Sequence, residues 1–120
     1  MLTLDDLRAM ILVLPETVET SAFGNPCFKV GDKAICFWNV GHDCPVFKVS
    51  FDERDLLIEA EPETFFTTPH HRPSPLVLAR PQTVDPEWAR VTVERTWRRL
   101  ARRAMVKRYD AGRGEGEESA

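Results

Sequence analysis

Hydrophobic and polar positions alternate in two periods along this chain. Leu4, Leu7, Ile11 and Leu14 recur at three- and four-residue spacing and predict an amphipathic helix. Thr3 stands where an N-cap is wanted, Asp6 is placed to reciprocate, and Pro15 stops the helix. A period of two then takes over. Val18 to Phe23 reads as an edge strand, Gly24-Asn25-Pro26 as a turn, and Cys27–Val30 with Lys33–Asn39 as a hairpin closed by Gly31-Asp32. A two-residue turn sets a register of Val30 with Lys33, Phe28 with Ile35 and Cys27 with Cys36. Phe28, Val30, Ile35 and Phe37 then share one face, and Cys27, Lys29, Ala34, Cys36 and Trp38 the other. Val46 to Phe51 is the next strand, with Phe47, Val49 and Phe51 toward the core. Asp52 is the expected cap of a second helix to about Ala60, with Leu56, Leu57 and Ala60 inward. Glu63–Phe66 reads as one further turn, Thr67–Pro75 as a loop, and Leu76–Arg80 as a strand. Asp85 caps the last helix and Pro86 takes its first position. Ala89, Val93, Trp97, Leu100 and Ala104 form its buried stripe, and Arg95, Arg98, Arg99, Arg102 and Arg103 the opposite face.

The element order α-β-β-β-β-α-β-α predicts an α+β protein. An antiparallel sheet with helices mainly on one face, a two-layer sandwich, fits it best. Residues 1–110 read as one domain, and the Gly- and Glu-rich stretch 111–120 as a disordered acidic tail. With 120 residues the chain can bury roughly 65% of the surface its unfolded form exposes, enough for a core without metal or disulfide staples. No apolar run approaches the length of a membrane span, and the first residues carry acids and no basic leader. Three cysteines without a regular framework point to a reducing compartment, so the expected location is cytoplasmic.

Charge changes the picture. The net charge is −3, but Trp88–Arg108 holds eight basic residues and one acid, Glu94, which is +7 and leaves −10 for the rest. A basic segment in an acidic protein is either a phosphate-contacting surface or a solvated helix face whose arginines pair with acids elsewhere.

The order of elements, together with Phe23-Gly24-Asn25-Pro26-Cys27-Phe28-Lys29-Val30, Val46-Phe47-Lys48-Val49, Phe65-Phe66-Thr67-Thr68-Pro69-His70 and the Val84-Asp85 helix start, resembles the MmcQ/YjbR family over roughly residues 4 to 108. The resemblance implies a compact two-layer fold similar to secretion-chaperone-like and frataxin-like (CyaY-like) sandwiches. It also implies DNA binding through a sheet-and-loop surface. The chain departs from the family pattern at His71 and Ser74-Pro75-Leu76, where relatives often carry an aromatic, and in the arginine richness of its last helix.

The candidate nucleic-acid-binding residues are therefore Arg95, Arg98, Arg99, Arg102 and Arg103 on the last helix, with Lys29, Lys48 and Trp38 on the second sheet face. There an aromatic between lysines is placed to stack a base. The alternative for Trp38 is burial by a helix or a second copy. His70-His71 has no acid or cysteine within two residues and reads as structural or solvent-exposed. Cys27, Cys36, His42 and Cys44 lack zinc-knuckle spacing and read as packing residues, with Cys27 and Cys36 facing each other across the hairpin. No catalytic triad order, phosphate loop, paired-carboxylate motif or dinucleotide fingerprint occurs, so no catalytic residue, metal or cofactor is assigned. The expected function is a non-catalytic module that contacts DNA phosphate without reading sequence. Glu115, Glu117 and Glu118 of the tail are candidates to compete with phosphate for the arginines. The alternative is a protein-interaction or homodimerising module that uses the open sheet face.

Overall fold

The computed structural model describes residues 1–119, with side chains through Arg113. The first helix, α1 (Leu4–Leu12), begins where the pattern placed it. Thr3 accepts from the Asp6 amide and Asp6 accepts from the Thr3 amide, a complete capping box. Leu7, Ile11 and Leu14 are buried.

Six strands follow: β1 (Thr17–Ala22), β2 (Asn25–Val30), β3 (Lys33–Asn39), β4 (Cys44–Lys48), β5 (Phe65–Phe66) and β6 (Leu76–Ala79), with α2 (Phe51–Ala60) between β4 and β5. They form one antiparallel sheet in the order β1-β2-β3-β4-β6-β5. Two more helices, α3 (Pro86–Leu100) and α4 (Arg103–Ser119), close the chain. Side chains of all four helices join the inner-face core, where Trp97, Phe28, Phe47, Leu7 and Ile11 are fully buried. Trp88 of α3 meets Phe47 and Phe65 edge-on.

Several expectations are corrected. Ser50, not Asp52, caps α2 by accepting from the Glu53 amide, so Phe51 is the helix's first residue and half-exposed rather than a core strand position. In α2, Leu56 is exposed. Arg54 turns inward instead and donates to the Arg72 and Ser74 carbonyls, tying the helix to the 67–75 loop. Residues 65 and 66, expected in a turn, pair with β6 as β5.

The hairpin differs most. Val30 faces Lys33 and Lys29 faces Ala34 as expected, but then the register shifts. Phe28 faces Cys36 and Cys27 faces Phe37, so β3 carries a bulge at Ile35–Cys36. Both bulge residues are buried in the inner core. Every later side chain of β3 changes face. Trp38 enters the inner core, and Phe37 joins Val46 and Leu78 on the outer face. Cys27 and Cys36 no longer oppose each other.

The last helix is two helices. Ala101 is extended (φ −71°, ψ 154°) and the chain reverses there. Twelve residues of straight helix would separate Arg98 from Asp110 by about 18 Å. Here the two side chains form a bidentate pair at 2.8 and 2.9 Å. Tyr109 packs edge-on to Trp97 at 5.1 Å and donates to Glu94 at 3.2 Å. These contacts, and Met105 in the core, explain a reversal that no proline or glycine marks. Contacts continue past residue 111, because Arg113 reaches Glu94 at 3.5 Å. The side chains of Glu115, Glu117 and Glu118 lie outside the described ones, and so does their expected competition with phosphate.

Candidate nucleic-acid interface

Asp85 caps α3 by accepting from the Glu87 amide, and Pro86 occupies the first turn. From there Ala89, Val93 and Trp97 turn inward, which puts Arg95, Arg98 and Arg99 outward or at the flank. The structure does not keep the arginines as one open face. Arg95 pairs with Glu53 of α2 at 2.9 Å. Arg98 is taken by Asp110 at 2.8 Å and by Glu94 at 3.7 Å. Arg102 lies 3.6 Å from Glu16. Arg103 is exposed on α4, and among the described residues it has no carboxylate in ion-pair contact.

What converges is smaller and better defined. Lys48 at the end of β4, Arg95 and Arg99 on α3, and Val49-Ser50 at the start of α2 line one cleft. The α2 N-terminus adds its own positive end there, offset in part by Glu53 at the third helical position. Lys48 and Arg99 have no carboxylate in ion-pair contact among the described residues. Burial, and then the nearby Arg99 charge, pushes the Lys48 ammonium below its ordinary value. Two uncompensated cations at a helix N-terminus are an environment that an anionic oxygen would stabilise.

The outer sheet face carries the other expected residues, differently arranged. Lys29 and Lys48 are half-buried there, and the charges of both act on the Cys27 thiol. Trp38 is not between them. It is 6% exposed in the core, and its indole donates to Asp43 at 3.2 Å, so the expected stacking surface is absent. In its place Phe37, Val46 and Leu76 form the floor of an open cavity of about 390 Å³. Phe23, Asn25, Asn39, His70 and His71 stand around it. Phe23 is fully exposed in left-handed backbone (φ 54°), beside Gly24 (φ 80°), whose conformation only glycine adopts readily. His71 shares a 2.7 Å hydrogen bond with Thr68, and burial, with the neighbouring histidines, pushes its imidazole below the usual value of 6.5. Sequence reasoning missed this cavity because the bulge alone brings Phe37 to it.

The thiols are set against reactivity. Burial raises Cys27, raises Cys36 further, and pushes Cys44 up to about 11. Among the described residues no group of three His, Cys, Asp or Glu side chains could hold a metal ion. Among the same residues no helix is long and apolar enough to cross a membrane.

Sheet, one-sided helical layer and flanking cleft together define a small α+β sandwich with a six-stranded antiparallel sheet. The YjbR family model matches residues 12–99, and the chain belongs to the YjbR family. The crystal structure of protein DR2400 of Deinococcus radiodurans, which carries the domain DUF419, superposes with a TM-score of 0.72 at 23% identity. That match covers 87% of this chain and 82% of that one, and it shows a shared fold. No curated protein matches.

Proposed function

We propose that this protein is a non-catalytic nucleic-acid-binding module that holds the phosphate backbone of DNA, with little reading of base sequence. One observation carries the reading. Lys48, Arg95 and Arg99 meet at the N-terminus of α2, and Lys48 and Arg99 lack a carboxylate partner among the described residues. Backbone amides at a helix start and a bidentate guanidinium are the groups that phosphate oxygens favour. The exposed Arg103, Lys107 and Arg108 of α4 extend the basic surface. Arg98, fixed by Asp110, drops out of the contact set, and Arg102 contributes after leaving Glu16. The burial of all three thiols, which raises them, supports the non-catalytic reading.

The test is fluorescence anisotropy of a labelled random-sequence duplex titrated with protein at several salt concentrations. Affinity falls linearly on a double-logarithmic salt plot, and Lys48→Ala and Arg99→Ala each reduce the slope by about 1. Salt-independent binding, or slopes unmoved by both changes, would remove the cleft as a phosphate site.

A second reading, a protein-interaction or self-associating module, is favoured by one feature, the bare Phe23 ring on the rim of an apolar cavity. Light scattering on the eluting protein tests it: a stable dimer lost in Phe23→Asp would support it.

A further inference from the structure

We infer that the outer-face cavity receives one unstacked nucleobase, so that single-stranded nucleic acid is the preferred ligand. The inference rests on the phosphate-binding reading and specifies its substrate.

Three observations lead there. The first is shape and surface. Phe37, Val46 and Leu76 make an apolar floor, and the cavity's 390 Å³ lies within the range of small-ligand pockets, about 300 to 1,000 Å³. Phe23 presents a whole ring at the rim, and aromatic rings in such positions stack any base, because every base has a π face.

The second is the polarity of the rim. Asn25 Oδ1 accepts from the Val40 amide at 2.8 Å, and Asn39 Oδ1 accepts from the His42 amide at 2.8 Å. Both carboxamides are thereby oriented, with one oxygen lone pair engaged, and the NH₂ group of each has no hydrogen-bond partner among the described residues. An occupant complementary to this cavity is a flat apolar body edged with acceptors. The carbonyl oxygens and ring nitrogens of a nucleobase meet that description.

The third is continuity with the phosphate cleft. Val46 and Leu76 line the cavity, while Lys48 and Pro75 line the cleft. Lys48 lies two residues beyond Val46 on the same face of β4 and pairs with Leu76 of β6. Val46 of the cavity and Lys48 of the cleft are thus about 7 Å apart along one strand. A single strand places phosphate and base in both at once. A duplex keeps its bases stacked inside and leaves the apolar cavity empty.

The experiment compares a labelled oligothymidylate of about 12 nucleotides with a random duplex of the same length at the same salt. The single strand binds about tenfold more tightly or better. Phe23→Ala weakens it about fivefold or more and leaves duplex affinity and the salt slope unchanged. Phe23 is fully exposed, so removing its ring leaves the core intact. Equal or tighter duplex binding, or a Phe23→Ala protein that binds single strands normally, overturns the inference while leaving the phosphate reading standing if Lys48→Ala still weakens both ligands. Absence of salt-dependent binding to either ligand removes both readings. A dimer that Phe23→Ala dissociates would make this face a contact between copies and also overturn the inference.

Discussion

Phe37 and Trp38 are adjacent and both aromatic, yet one floors an open cavity and the other lies in the core. The difference comes from Ile35, the residue that the bulge adds to β3. Lys29 and Lys48 lie on the face that the alternation predicts because they lie outside the segment that the bulge shifts. Trp38 departs from its predicted face because nothing in the hairpin's alternation marks an extra residue. Burial makes the consequence measurable. Trp38→Ala should destabilise the protein by about 3–5 kcal/mol in a urea titration, the range for large-to-small changes at buried aromatics. A base-stacking Trp38 would instead leave stability nearly unchanged and weaken nucleic-acid binding.

Elements with local signals were legible: α1 from its capping box, β3 from its alternation and the start of α3 from Asp85-Pro86. The ends of elements were less so. The break at Ala101 has no breaker residue; it follows from contacts between residues twelve or more apart, Arg98 with Asp110 and Trp97 with Tyr109. The Arg98 guanidinium hydrogen-bonded to Asp110 holds that carboxyl below its usual 3.8. A depressed folded-state value means the contribution is present above pH 3.8 and lost as pH falls below it. Asp110→Asn should therefore loosen α4 from α3 at neutral pH. Amide exchange should rise over residues 103–113 while β2–β4 stay protected, and the difference from the parent protein should shrink as the pH is taken below 3.8. Uniform exchange changes across the sheet, or none, would count against this anchoring.

For the molecule as a whole, the charge segregation visible in the sequence is real but partly neutralised. Glu53, Glu16 and Asp110 come from three separate stretches outside the basic segment to meet the arginines. Such pairings between distant residues leave no trace in a linear charge count, so where the sequence indicates one basic helix the fold leaves a basic cleft and the exposed cations of α4. The YjbR resemblance and the α+β class were legible because they rest on the order of elements, which survives small shifts of boundary.

The strand order β1-β2-β3-β4-β6-β5 also bears on how quickly the chain finds its shape. The pairings among the first four strands all join sequence neighbours across turns of two to four residues, which keeps the loop-closure penalty low. The meander is the part that can assemble early, and the α3–α4 reversal can dock only once the inner face exists. Gly31, at φ +62° in the β2–β3 turn with open space where a Cβ would sit, gives a clean probe. Gly31→Ala costs about 1 kcal/mol of backbone strain, and in stopped-flow kinetics it should mostly slow refolding. Tyr109→Ala should mostly speed unfolding.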